Sequence, residues 1–400
     1  MSSEIRGLCR RASDLLSRRL FGEAIPILEQ VVEAAPSPRT MSWVVAALIG
    51  SGRTEVAIKK AIDLADKCPY SWEARDALGR ALAARREYRS AVEAFQVSAA
   101  LRYPPERATL PAAHYLLHSS EQLDYIGRSA ALYPEFVDMK SDPRCSVNDK
   151  QMVDVEAKTG VPVESAGKVY PSAPLSLSLF IPRETPIERP LNAALDFGII
   201  SSRFMENGAR FVIIDELLSP EALESLRRFC LGARVWRRSY EPGYVGAFPE
   251  DGFASVLLFE IADALREAMP GVLEGYRLAQ WWALAYDQHL SGTDVHADDA
   301  DISVNLWITQ TEANLQLDRG GLIMWDRTAP ETWKFQDYNG DSNKVRLWLA
   351  EAGAREMIIP HRANRAVVFN GRLFHCSDGT NFAPGYENRR RNITFLFHRA

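Results

Sequence analysis

Three alanines constrain the fold most. Ala24, Ala57 and Ala91 stand 33 and 34 residues apart, inside the matching stretches FGEAIPILEQVVEAAP, RTEVAIKKAIDLADKCP and EYRSAVEAFQVSAALRYP. Pro36, Pro69 and Pro104 close the units 12, 12 and 13 residues after the alanine. Such a period means one helical unit stacked on copies of itself, each unable to bury its apolar face alone. The small residue lets two helices approach closely, and the proline stops a helix because it cannot donate a backbone hydrogen bond. Ala12 and Gly79 precede Ala24 and Ala91 by 12 residues, which places a small residue in the first helix of a pair as well. Residues 1–134 therefore read as helical throughout, with EQLDYIGRSAALYP as an atypical closing unit.

This pattern resembles the tetratricopeptide repeat, although the usual Trp and Tyr are missing at several positions. The resemblance covers about a third of the chain. It implies a concave face suited to peptides and protein segments.

Residues 135–190 change character. SDPRCSVNDKQ and VYPSAPLSLSLFIPRETPIERP are rich in Pro and Ser, and predict a linker. Leu175, Leu177, Leu179 and Phe180 predict that it lies along a domain rather than free. From residue 191 the chain becomes strand-rich. ARFVIIDELL reads as a strand, followed by a helix with Ser219 as N-cap and Pro220 at its first position. GFASVLLFEIADALREAMPGVL is a second amphipathic helix. Short strands follow in RLAQWWALAYDQ, DISVNLWIT, GGLIMWD, REMIIP, RAVVFN and RNITFLFHR, with turns at Asn339-Gly340 and Asn370-Gly371. Helices followed by many short strands predict an antiparallel barrel or jelly roll buttressed by helices, hence a multidomain α + β chain.

Chemistry concentrates in DVHADDADISVNLWIT, residues 294–309. His296 and Asp298 are two apart, so on an extended segment both point to one side while Asp299 points away. Far downstream, AVVFNGRLFHCSD presents His375 at the end of an apolar strand. Two imidazoles and one carboxylate on one face of an octahedral ion leave three positions open, the donor set of non-haem Fe(II) oxygenases. Fifteen residues after His375 comes RRRNITFLF. A guanidinium grips a carboxylate with two parallel bonds, which a dicarboxylate cosubstrate requires.

Residues 205–400 resemble the 2-oxoglutarate- and Fe(II)-dependent dioxygenase superfamily, whose fold is the double-stranded β-helix. Tyr286 to Asp298, with the pattern Y-x9-HxD, resembles the prolyl-hydroxylase-like branch. GGLIMWD, P-x5-AVVFNGRLFH and R-x-N-I-T-F follow in the family's order. The resemblance implies His296, Asp298 and His375 as iron ligands, and a last-strand arginine as anchor for 2-oxoglutarate. It places Arg, Asn and Thr of R-x-N-x-T on one inward face, which selects Arg390, Asn392 and Thr394. Arg391 is the alternative, since a one-residue slip flips the face. Tyr286 is read as a cosubstrate contact or a packed core tyrosine. Asn305 and Trp307 share a face and line the pocket, with core packing the plainer role for Trp307. A calcium loop fits poorly, because the acid run lacks the loop's Gly and closing Glu. Asp294, Asp299 and Asp301 are expected to be solvated. His289, His361 and His398 are expected to be structural or superficial, His114 and His118 neighbours on a helix, and Cys376 a buried thiol.

A net charge of −5 and no basic stripe with interleaved aromatics argue against nucleic acid as partner. No apolar run reaches the ~20 residues that span a bilayer. The start of the chain lacks the apolar core of a secretory signal. Cys9, Cys68, Cys145, Cys230 and Cys376 form no framework, which suggests a reducing cytoplasm. The expected protein is an Fe(II)-, 2-oxoglutarate- and O2-using hydroxylase. Its substrate is expected to be a peptide or protein side chain delivered by the repeats. The alternatives are a free or carrier-bound small molecule, and a catalytically inactive scaffold.

Overall fold

The computed structural model describes residues 3–102, 113–134, 180–240, 243–287 and 292–399, with the side chains of residues 113–116 excepted. Pro104, the His114 side chain, Cys145, His289 and residues 135–179 of the expected linker lie outside the described residues.

The alanine period becomes three helix pairs: α1 (Ser3–Ser17) with α2 (Phe21–Ala34), α3 (Pro38–Gly50) with α4 (Thr54–Lys67), and α5 (Trp72–Ala84) with α6 (Tyr88–Arg102). Ala24, Ala57 and Ala91 are fully buried where the helices cross. Close approach is real elsewhere too: a Cβ on Gly50 would sit 2.5 Å from the Phe21 ring. Ser37 and Ser71 accept the backbone N–H groups of Thr40 and Ala74, which caps α3 and α5. A further helix, α7 (Ala113–Arg128), follows.

Beyond residue 180 come α8 (Phe197–Glu206), α9 (Pro220–Gly232) and α10 (Val256–Ala268), with α11 (Ser342–Glu351) inserted late. Ten strands form two antiparallel sheets: β1 (Phe211–Ile214), β2 (Trp236–Tyr240), β3 (Tyr244–Ala247), β4 (Tyr276–Tyr286), β5 (Ile302–Trp307), β6 (Leu322–Thr328), β7 (Glu356–Ile359), β8 (Ala366–Asn370), β9 (Leu373–Ser377) and β10 (Arg391–Arg399). The larger sheet has the order β1-β8-β5-β10-β4-β3-β2, and the smaller β7-β6-β9. Among the described residues, no helix is long and apolar enough to cross a membrane.

Three details differ from the sequence reading. The apolar run before His375 is two strands in different sheets, β8 and β9, joined at the Asn370-Gly371 turn. Asn339-Gly340 closes a short helix rather than a hairpin. The strands β2 and β3 carry Arg, Gly and Tyr without clean alternation, and the sequence did not announce them.

The helical region is not a separate body. Leu82, Ala91, Val92 and Phe95 share one apolar core with Trp281, Val304, Ile393 and Phe395 of the larger sheet. Phe95 meets Trp281 edge-on at 5.6 Å, and Tyr88 stacks on Phe259 of α10 at 4.9 Å. Around this seam Arg80 reaches Glu250 at 3.1 Å, and Arg389 reaches Glu121 of α7 at 2.7 Å.

Candidate metal centre and active site

The structure brings His296, Asp298 and His375 together, with one ligand atom from each within 4.8 Å of the others. His296 lies on an isolated bridge to His375: each backbone N–H donates to the other's carbonyl, at 3.0 and 2.8 Å. Asp298 donates its N–H to Gly371 C=O at 2.8 Å. So β9 and the turn between β8 and β9 hold both candidate ligands of the HxD segment. That segment has no regular strand of its own.

The Nδ1 of His296 lies 2.7 Å from Asp294 C=O, and the Nδ1 of His375 lies 3.0 Å from Leu373 C=O. A carbonyl only accepts, so Nδ1 carries the proton and Nε2 presents its lone pair. The Nε2 atoms stand 3.8 and 3.7 Å from the two Asp298 oxygens. The His375 contact is not an ion pair, because burial, and then His296 nearby, pushes the His375 pKa down to about 4. Neutral imidazole is the form a metal takes. Ser303 donates to Asp298 Oδ2 at 2.6 Å and fixes the carboxylate from behind.

Beside this cluster lies a group of buried polar side chains on one face of the larger sheet. Ser303, Asn305 and Trp307 of β5 share that face with Asn392 and Thr394 of β10, Asn392 opposite Trp307 and Thr394 opposite Asn305. Asn305 and Asn392 each donate to Thr394 Oγ1 at 3.3 Å. Of the three arginines, Arg390 precedes Asn392 by two residues and continues that face. Its guanidinium lies 4.4 Å above the Tyr286 ring and donates to Gly321 C=O at 2.8 Å. Arg391 points to the opposite face, over Tyr386, and Arg389 is held by Glu121 and Asp287. Tyr286 accepts from Ser377 at 3.2 Å.

Several buried atoms here have no hydrogen-bond partner: Nε and Nη1 of Arg390, Nε1 of Trp307, Oδ1 of Asn305 and Asn392, and both ring nitrogens of His361. Such a concentration marks a place for a polar ligand. Burial drives the Arg390 pKa below the ordinary arginine value. His361 was expected to be merely structural. It stands 5.9 Å from Trp307, and burial followed by Arg390 and Arg365 pushes its pKa down to about 3. Its place in a connecting segment gave no signal in the sequence. Trp307 is buried as expected, yet its polar edge is unspent.

A cavity of about 1400 Å³ opens from the metal cluster. Trp282, Tyr244 and Phe248 of the sheet region form one side, Trp333 and Phe335 another, and Ser13, Asp14 and Ser17 of α1 a third.

Of the acid run, Asp294 is exposed as expected and pairs with Arg346, while Asp299 and Asp301, still partly exposed, both bind Arg19, at 3.1 and 2.7 Å. The partner of the latter two lies some 280 residues away. His398 is structural, with Nε2 at 2.7 Å from Asp299 C=O, and His118 is packed between Trp236 and Tyr386. Cys376 is a buried thiol whose pKa burial pushes up to about 12.

No family model and no curated protein matches the chain. Among solved structures it is similar to the non-heme alpha-ketoglutarate-dependent carbocyclase SnoK from nogalamycin biosynthesis, at 14% identity over 54% of this chain and 87% of that one, with a TM-score of 0.40. HygX from Streptomyces hygroscopicus, solved with nickel, 2-oxoglutarate and hygromycin B, matches at 12% identity over 50% of this chain and 87% of that one, with a TM-score of 0.35. EctD from S. alaskensis, solved with 2-oxoglutarate and 5-hydroxyectoine, matches at 12% identity over 54% and 78%, with a TM-score of 0.34. Likeness this distant leaves the chemistry to the geometry of the site.

Proposed function

We propose that the chain is an Fe(II)- and 2-oxoglutarate-dependent dioxygenase that hydroxylates a C–H bond of a small molecule held between α1 and the larger sheet. One observation carries this reading: the fold that gathers His296, Asp298 and His375 also buries Arg390 with donors to spare. The donor set fits Fe(II) and leaves half of an octahedral shell open. The spare guanidinium donors fit the far carboxylate of 2-oxoglutarate.

Iron, 2-oxoglutarate and O2 supply the oxidising chemistry when bound, with succinate and CO2 as coproducts. The chain's own part is placement. The Leu373 and Asp294 carbonyls hold each imidazole in the tautomer that offers Nε2. Ser303 orients Asp298. Arg390 would hold the cosubstrate's far carboxylate, with the buried polar atoms of Asn305, Trp307, Asn392 and Thr394 beside it. Enclosure strengthens these contacts by excluding water.

Helices α1 and α5 belong to the surface on which a repeat would seat a peptide. Here α1 borders the catalytic cavity and Arg80 of α5 binds Glu250. That favours a compact substrate. A peptide or protein side chain is the second reading, favoured by cavity size: about 1400 Å³ exceeds the ~300–1,000 Å³ usual for small-molecule pockets.

Anaerobic Fe(II) and 2-oxoglutarate should give a weak visible charge-transfer band. His296→Ala should abolish it, and Arg390→Lys should raise the 2-oxoglutarate needed by about tenfold or more, since lysine has no fork. A folded protein that shows no band sinks the oxygenase reading. Succinate release screened in separate metabolite and peptide arms decides the substrate class.

A further inference from the structure

The first helix of each pair ends in the same way. Leu20, Arg53 and Glu87 donate their N–H groups to Leu15, Leu48 and Leu82 C=O, at 2.9, 2.9 and 3.0 Å. One residue earlier, Arg19, Gly52 and Arg86 donate to Leu16, Ile49 and Ala83 C=O, at 3.0, 3.1 and 3.0 Å. This closure forces the residue after the cap into the left-handed region, and φ is +58° at Arg19, +76° at Gly52 and +66° at Arg86. Glycine is the usual residue there, because a side chain crowds its own backbone. Two of these three equivalent positions nevertheless carry arginine. Both arginines reach across to a pair of acids in the sheet region. Arg19 binds Asp301 and Asp299 at 2.7 and 3.1 Å, and Arg86 binds Asp263 and Glu267 at 2.8 and 3.1 Å. At Gly52 a Cβ would meet open space, so room alone does not bring in a side chain. The distant acids account for arginine at 19 and 86 where the backbone prefers glycine.

The two arginines land in different places. The acids of Arg86 lie on α10. Those of Arg19 follow the candidate ligand Asp298 by one and three residues. That loop is already tied on its other side: Asp298 N–H to Gly371 C=O at 2.8 Å, Asp301 N–H to Phe397 C=O at 3.1 Å, and Arg399 N–H to the Asp301 carboxylate at 2.9 Å. Arg19 supplies the anchor from α1, whose Ser13 and Ser17 border the same cavity. The geometry points to Arg19 as a positioning residue. One guanidinium spread over two carboxylates ties α1 to the loop that carries Asp298, so seating of the first helix and loading of the metal are linked. This rests on the oxygenase reading above. Linkage is reciprocal: a helix that favours metal binding is itself steadied by the metal.

Arg19→Gly in the full-length chain isolates the side chain, because glycine accepts the left-handed backbone without strain. Its thermal midpoint should stay near that of the wild type, as a partly exposed ion pair contributes little to folding. With Co(II) as the probe metal, binding should weaken about threefold to tenfold. Co(II) should slow hydrogen exchange across Ser3–Ser17 in the wild type but not in Arg19→Gly. Arg86→Gly, which removes the same kind of contact away from the metal, should bind Co(II) like the wild type. Arg19→Lys, able to meet only one carboxylate at a time, should fall between. Wild-type Co(II) affinity and exchange in Arg19→Gly would overturn the proposal, as would equal weakening in Arg86→Gly. Failure of the wild type to bind Co(II) is a different result: it sinks the oxygenase reading, and the link with it.

Discussion

At the scale of single residues, the site is built from groups kept in one protonation state by their surroundings. His361 is fully buried with neither ring nitrogen partnered, and its pKa is pushed down to about 3. An unfolded histidine titrates near pH ~6.5. The unfolded chain therefore takes up the proton first as the pH falls. Above pH ~6.5 the neutral ring carries no penalty; between there and pH ~3 the folded state loses up to about 1.4 kcal/mol per pH unit on its account. His375 shifts in the same direction, so the wild type carries both penalties. Phenylalanine at 361 keeps the packing against Trp307 and Phe382 and removes one of them. Urea unfolding at pH 6.5 and 4.5 should show a smaller loss of stability in His361→Phe than in the wild type. An equal loss in both would mean that His361 takes up its proton freely in the folded state. Titrated with 2-oxoglutarate, the same variant reports whether this ring also serves the proposed cosubstrate site.

At the scale of elements, the turn that carries the chain from β8 in one sheet to β9 in the other organises the centre. Its turn residue Gly371 accepts from Asp298 N–H and donates to Asp301 C=O at 3.0 Å, and a Cβ there would lie 2.5 Å from Ala300 O. Gly371→Ala must push the segment 298–301 outward. The expected result is a folded protein whose Fe(II) or Co(II) affinity falls by about tenfold or more, in the range seen when groups behind a metal ligand are lost. Calorimetric metal titration beside a far-UV spectrum checks this, and undiminished affinity would show that the β8–β9 turn does not set the ligand geometry. Much of this element was legible in the sequence. The two-residue spacing of His296 and Asp298, the Asn370-Gly371 turn and the alternation that puts Arg390, Asn392 and Thr394 on one face are all local patterns. What stayed hidden is non-local. Nothing near Asp299 or Asp301 announces Arg19, which reaches them only after the chain has folded back from its other end. His361 lies in a connection without periodicity, so its burial depends on sheets packing above and below it. The sequence also underread the repeats, since the stripe formed by Val92 and Phe95 looks like an ordinary internal face of a helix pair.

At the scale of the whole molecule, that stripe decides how the chain behaves. Phe95 is fully buried, and its ring meets Trp281 of β4 while Tyr88 stacks on α10. Removing the helical region to isolate the sheet region would therefore uncover apolar core and take Arg19 away from the loop that carries Asp298. Loss of turnover in such a fragment would say nothing about substrate recognition. A shared core instead predicts shared unfolding. Phe95→Ala should cost about 3–5 kcal/mol, as for other large buried aromatics. That cost should appear in helix content and in sheet-region tertiary signals at once, because both regions stand on the same cluster. Far-UV and near-UV circular dichroism along one urea titration make the comparison. Coincident curves that move together in Phe95→Ala mean that the helices and the sheet region form one cooperative unit, in which the helical region is part of the candidate site's architecture. A variant that loses its helical signal first, with the near-UV signal and Co(II) binding intact, would instead make the helices a separable attachment.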